Sequence, residues 1–253
     1  MSDIKIIIAT HKPYWMPSDP MYFPLHVGRE GKQYLGYTGD NTGDNISRKN
    51  TNYCELTGLY WAWKNLSSDY LGLVHYRRHF SNGKLLSDKK NRVITQEELE
   101  PKLTKSPIFL PTPRNYWIET NYSQYVHAHH AVDLDTTRAI LSEKYPAYVS
   151  AYDACMNRTI GHRFNMFIMR RDLLDEYCTW LFDILFTLEN RLDISTYNKN
   201  DSRVFGFVSE RLLDPWIETN HHPYKQIPYV FMESQNWLIK GGNFIKRKVT
   251  SKK

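Results

Sequence analysis

The segment IKIIIA at 4–9 is a nearly unbroken apolar run of strand length, closed by Thr10, His11 and Lys12. A strand without polar alternation is buried on both faces, the habit of a parallel sheet covered by helices. A second such run, YLGLVH at 70–75, ends in Tyr76, Arg77, Arg78 and His79. Between them TNYCELTGLYWAWKNL reads as one helix, with Asn52 and Glu55 in a capping-box arrangement and Leu56, Leu59, Tyr60 and Trp63 on one face. Strand, helix, strand predicts a βαβ unit and a parallel sheet.

Downstream, SPIFLP (106–111), RFNMFIMR (163–170) and IPYVFM (227–232) read as further strands. Residues 133–158 read as two short helices broken at Pro146, Asp172 to Leu188 as an amphipathic helix, and DSRVFGFVSERLLDPWIE as a helix from about Ser202. The stretch from Pro13 to Asn50 is rich in Pro, Gly, Asp and Asn and reads as one long irregular connection, a length usually reserved for function. No repeat or Pro/Gly-rich linker divides the chain. The expectation is an α/β fold with a mostly parallel central sheet and an elaborated second half from about residue 115.

Hydrophobic residues make up 41% of the 253 positions, enough for a sizeable core. The 18 Tyr and 7 Trp offer flat faces for sugars or bases, although most such rings pack in cores. Net charge is +6, and Lys246, Arg247, Lys248, Lys252 and Lys253 supply five cations, so the body is nearly neutral and needs no nucleic-acid groove. That tail reads as a solvated or membrane-grazing extension. Cys54, Cys155 and Cys178 are odd in number and widely spaced, which argues against a disulfide framework or zinc knuckle and for a reducing compartment. The opening segment is too short and charged for a signal peptide, and no apolar run reaches bilayer-spanning length. A cytoplasmic chain, at most peripheral to the inner face of a membrane, is expected.

In open α/β sheets ligands lie beyond the carboxyl ends of the strands. Three expected strand ends carry cations there: Thr10-His11-Lys12, His75-Tyr76-Arg77-Arg78, and the run closing at Arg114. Together they suit a diphosphate, with Arg giving bidentate contacts; the plainer alternative is a charged strand exit. In YTGDNTGDNISRKN, Asp40, Asn41, Asp44 and Asn45 are turn formers that can also meet ribose or sugar hydroxyls, and the spacing is not that of an EF-hand. In YVHAHH, His127 and His129 would share a face if the segment were a strand; hydrogen-bonding histidines are commoner than metal ligands. Glu210 sits within an apolar helical pattern beside Arg211, as a general base or as an ion pair, and the residues alone favour the ion pair. No nucleophile elbow, P-loop or G-x-G-x-x-G fingerprint is present.

Taken together, DNTGDNISRKNTNYCELTGLYWAWKN, YLGLVHYRRHF, FNMFIMRRDLLDEYCTWLFDIL and RVFGFVSERLL resemble a bacterial family of capsule, exopolysaccharide and O-antigen glycosyltransferases, a domain of unknown function with some members assigned as galactofuranosyltransferases. The resemblance runs from about residue 4 to 232. It implies a GT-A-like, Rossmann-like fold in which about 1–114 bind the nucleotide, about 115–232 hold the donor sugar and acceptor, and 233–253 form the basic tail. The implied donor is UDP-galactofuranose, with UDP-galactopyranose or another UDP-hexose as the alternative. The implied acceptor is a sugar of a growing lipid-linked glycan, and transfer inverts the anomeric centre.

GT-A enzymes commonly end the corresponding strand in Asp-x-Asp, which holds a divalent cation. Here that place carries His75-Tyr76-Arg77-Arg78, so the resemblance implies that Arg77 or Arg78 replaces the metal and that no cofactor is needed. Manganese or magnesium on His75 and an Asp of the 40–45 loop is the alternative. The implied donor set is Thr10, His11, Lys12, Asp40, Asn41, Asn45, Lys49, His75, Tyr76, Arg77 and Arg78. Asn165, Met166, His129, His130 and Arg203 are implied on the donor-sugar or acceptor side. Glu210 becomes the first choice of base, with Asp214 and Asp201 in reserve. Tyr76 and Trp117 could stack on uracil or sugar, whereas Trp61 is expected in the core. Rival classes are a nucleic-acid module using the basic tail and a metal-dependent hydrolase built on His127–His130.

Overall fold

The structure, a computed structural model, describes residues 2–233; the basic residues at 246–253 lie outside the described part. β1 (Ile4–Thr10), β2 (Tyr22–His26) and β3 (Thr38–Gly39) lead through α1 (Asn50–Tyr53) and α2 (Leu56–Asn65) to β4 (Tyr70–His75) and the short β5 (Arg78–Phe80). Next come α3 (Gln96–Leu103), β6 (Ile108–Pro111), β7 (Arg114–Asn115), α4 (Asn121–Val126), α5 (Ala131–Lys144) and α6 (Val149–Asn157). The second half closes with β8 (Ile160–Gly161), β9 (Phe167–Arg170), α7 (Arg171–Glu189), α8 (Val204–Ser209), α9 (Leu213–Thr219), β10 (Tyr224–Ile227) and β11 (Tyr229–Phe231). The main sheet has the order β10-β6-β9-β4-β1-β2-β3. β1 is parallel to both β2 and β4, β10 is parallel to β6, and β9 alone runs antiparallel between β4 and β6. The mostly parallel α/β sheet read from the sequence is therefore present.

Strand alternation divides the core into two layers. Ile7 and Ala9 of β1, Leu71 and Leu73 of β4, Ile108 and Leu110 of β6, and Phe167 and Met169 of β9 face one layer. Ile4, Ile6 and Ile8, Tyr70 and Val74, Phe109 and Ile168 face the other. The first layer is roofed by α2 and by α7, whose Leu173, Leu174, Tyr177, Cys178, Leu181, Leu185 and Leu188 form a stripe at helical spacing. Trp61 is in this core, stacked near Phe23 with ring centroids 6.0 Å apart.

Several local expectations are corrected. The helix from 51 breaks at Cys54, which adopts φ 52°, and the Asn50 side chain donates to the freed Cys54 carbonyl at 2.7 Å. Asn52 therefore caps nothing; its amide donates to Ser202 O at 2.7 Å, across to the second half. The stretch 13–50 is not all loop, because β2 and β3 extend the sheet edge. The expected strand 163–170 begins only at Phe167, since Phe164 and Asn165 take positive φ (81° and 53°). The helix from Ser202 is interrupted at 210–212, and Pro228 divides the last strand into β10 and β11.

His79 is fully buried in the second layer, edge-on to Trp15 and Tyr22 at 6.0 and 5.9 Å. Burial pushes its imidazole down to about 4, and neither ring nitrogen has a hydrogen-bond partner among the described residues. The unfolded chain then binds the proton first, so this contribution is complete above about pH 6.5 and is lost as pH falls toward 4. The slope is about 1.4 kcal/mol per pH unit for one such group. Unfolding followed from about pH 7 to about pH 4.5 should show a smaller acid loss for His79→Phe than for wild type.

Candidate active site

β1 and β4 lie side by side and parallel, so Thr10 and His75 finish at one edge of the sheet. A cavity of about 350 Å³ opens beyond them, walled by His11, His75 and Arg77 from the strand ends, by Asn50, Thr51, Cys54 and Glu55 from the α1–α2 junction, and by Lys199 and Arg203. The Cys54 break turns Glu55 into this wall. α8 closes behind it: a Cβ on Gly206 would lie 3.2 Å from Cys54 Cβ, a tight approach at this crossing.

The cavity is rich in cations and neutral imidazoles. Burial, then Arg77 and Arg78, push His75 down to about 2, and its Nδ1 accepts from the Arg77 N–H at 3.3 Å. His11 is lowered by burial and Arg77 as well. Arg77 is exposed and lies 3.6 Å from Glu233. Arg203 donates from Nε to Cys54 Sγ at 3.2 Å and crosses the Phe207 ring. Burial raises the Cys54 thiol to about 11, so it stays protonated. Arg78 turns to the other side of the strand exit. Its guanidinium lies over the Phe164 ring at 3.6 Å, and its buried Nε has no hydrogen-bond partner among the described residues.

Two carboxyl groups accompany these cations. Burial raises the Glu55 carboxyl, Asn165 opposes this by donating to Oε1 at 2.8 Å, and the Glu210 charge raises it further. Asn165 also donates to Gly206 O at 3.1 Å, so its left-handed turn binds β9 to α8 and Glu55 together. Glu210, one-fifth exposed at the end of α8, lies 3.6 Å from Arg211. That guanidinium already donates at 2.9 Å to Phe207 O and to Gln124 Oε1, so the Glu210 contact is loose. Glu210 is also the foremost charge supporting Arg78.

Other sequence-expected residues are engaged elsewhere. Thr10 Oγ1 donates to Lys12 O at 2.6 Å and shapes the turn, while Lys12 lies over the Tyr76 ring at 5.1 Å. Tyr76 is 1% exposed, too buried to stack on a base. Asp40 accepts from the N–H groups of Gly28 and Arg29 and from Ser47 Oγ, at 2.8, 3.0 and 2.5 Å. Gly28 has φ +61°, and a Cβ there would strike Asn50 at 2.4 Å, so Asp40 braces a turn that only glycine makes. Asn41 donates to Glu30, Asn45 caps Ser47 N–H, and Lys49 donates to Glu189 at 2.6 Å. None of these four reaches the cavity wall.

Met166 is buried in the second core layer. The 125–130 segment is the end of α4 and the turn after it, not a strand. His127 contacts Glu119, while His129 and His130 meet Asp201 at 2.9 and 3.5 Å, so Asp201 anchors the loop that carries Lys199 and Arg203. Asp214 is buried, accepting from His162 N–H at 3.0 Å and contacting its Nδ1 at 2.5 Å. Trp117 is 80% exposed with φ 63°. Among the described residues no three His, Cys, Asp or Glu side chains converge as a metal-ligand set. Glu55 and Lys199 escaped the sequence reading: helical periodicity runs unbroken through Cys54, so nothing in the pattern marks Glu55 as turned inward.

Over residues 5–221 the chain matches a family described as a domain of unknown function, DUF4422. No curated protein matches it. Among solved structures it is similar to the apo form of the bifunctional glycosyltransferase WbbM, with a TM-score of 0.85 and 31% identity, covering 92% of this chain. The match covers 46% of WbbM, so this chain spans about half the length of that neighbour. The fold is GT-A-like, with a mostly parallel sheet flanked by helices.

Proposed function

The chain belongs to the DUF4422 family, and on that premise we propose that it is a glycosyltransferase using a UDP-sugar in the cavity beyond β1 and β4. The observation that carries this reading is the wall of that cavity: Arg77, Lys199 and Arg203 gather there with the imidazoles of His11 and His75, both lowered by burial and by Arg77. Cations gathered in one cavity repel one another until an anion meets them, and a diphosphate supplies the acceptor oxygens. The likeness to a glycosyltransferase supports the same class. UDP-galactofuranose is the proposed donor and a sugar hydroxyl of a lipid-linked glycan the proposed acceptor.

In this reading Arg77 and Arg203, with Lys199, offset the charge growing on departing UDP, where other GT-A enzymes use a metal. Neutral His11 and His75 offer hydrogen bonds without adding charge. Glu55, on the same wall as the cations, holds donor-sugar hydroxyls. Inversion needs a base opposite the departing diphosphate, and Glu210, the one-fifth-exposed carboxylate at the end of α8, is the proposed base. The acceptor oxygen bonds to the anomeric carbon, the bond from that carbon to the phosphate oxygen breaks with its electrons leaving on UDP, and the hydroxyl proton passes to Glu210.

Calorimetric titration with UDP, with EDTA or with manganese, tests the reading. Micromolar binding that ignores EDTA is expected, and Arg77→Ala or Arg203→Ala should weaken it roughly tenfold to a hundredfold. Absence of UDP binding in both conditions would remove the donor assignment.

A further inference from the structure

A second cavity, of about 280 Å³, shares no residue with the donor site. Its floor is apolar, from Phe109, Ile227 and Pro228, and its rim carries Lys102, Lys105 and Lys225. No carboxylate lines it, and the three exposed amines make no ion pair among the described residues. Lys102 and Lys105 flank the end of α3, where cations suit the helix dipole. Lys225 comes from β10 on the opposite rim, so helix capping does not account for the set.

The loop that completes the rim, Ser81 to Gly83, continues through Lys84 into Leu85 and Leu86, which are 93% and 43% exposed. Its base is secured to α3, because Lys84 and Asn82 both donate to Glu98, at 2.8 and 3.2 Å. Adjacent exposed leucines beside a cationic pocket are unfavourable in water and match the boundary between phospholipid headgroups and acyl chains.

We propose that this face docks on an anionic phospholipid bilayer, with a headgroup phosphate in the lysine pocket and Leu85 and Leu86 entering the interface. Lysines near such a surface act additively, and three of them account for roughly a hundredfold in partitioning. The docking does not depend on the transferase reading and uses no residue of the donor cavity.

Co-sedimentation of the full chain with vesicles tests it. Binding is expected to vesicles of phosphatidylcholine and phosphatidylglycerol mixed at about 7:3, and to be far weaker with phosphatidylcholine alone. The triple variant Lys102→Gln, Lys105→Gln, Lys225→Gln should lose roughly a hundredfold, and Leu85→Ser with Leu86→Ser at least about tenfold. Both should melt like wild type and keep its affinity for UDP, since the replaced side chains are exposed. Equal binding to both vesicle types, no binding, or unchanged binding of the variants would overturn the proposal. So would a lysine variant that loses affinity for inorganic diphosphate while still binding vesicles, which would make the pocket a site for a soluble anion.

Discussion

Glu210→Gln is expected to lower kcat by roughly a hundredfold to ten-thousandfold while leaving UDP affinity within about threefold, the range for removing a positioned general base. The substitution keeps the shape of the side chain and its loose approach to Arg211, 3.6 Å away, and removes its charge and its capacity to accept a proton. Arg211 keeps its bonds to Phe207 O and Gln124, so the fold around it has no reason to shift. Glu55→Gln should behave differently. Asn165 can still donate to its oxygen, so the site stays assembled, and the loss should appear largely in the KM for the donor sugar. Single-turnover rates with saturating donor separate the two variants. A Glu210→Gln enzyme with turnover close to wild type would take the base role from this residue.

Asp214→Ala is expected to destabilise the protein by about 3–5 kcal/mol, the usual result of removing one partner from a buried charge cluster. Asp214 is 7% exposed, and its carboxylate meets His162 through both ring and backbone. Arg163, 4% exposed, lies 4.0 Å from the same carboxylate. Burial alone would raise the Asp214 carboxyl, yet His162 and Arg163 hold it below the usual range. Its folded-state value is therefore the lower one, and its contribution is present above about pH 4 and lost as pH falls further. Denaturant titration measures the effect: a midpoint shift within about 0.5 kcal/mol of wild type would show that the cluster tolerates the loss of its acid. The contrast with Glu210 separates a carboxylate that holds α9 to the β8–β9 connection from one left available for chemistry.

What the sequence determined by itself was the sheet and its cationic edge. Ile4–Ala9 and Tyr70–His75 could be read as doubly buried because hydrophobic burial acts residue by residue and leaves a periodic trace in the chain. The ends of these strands pointed at His11, His75, Arg77 and Arg78 for the same reason, since a parallel pair must finish on one side. Tertiary structure decided which charged residues are free to act. Asp40, Lys49 and Asp214 look like ligands or catalysts in the sequence, and partners distant in the chain engage them: Gly28, Glu189 and His162. Glu55 reads as a helix cap and becomes part of the cavity wall, because Cys54 takes a left-handed turn braced by Asn50 and closed over by Gly206. Local pattern encodes whether a side chain is buried. Its hydrogen-bond partner is set by residues far along the chain, and only the folded chain brings those together.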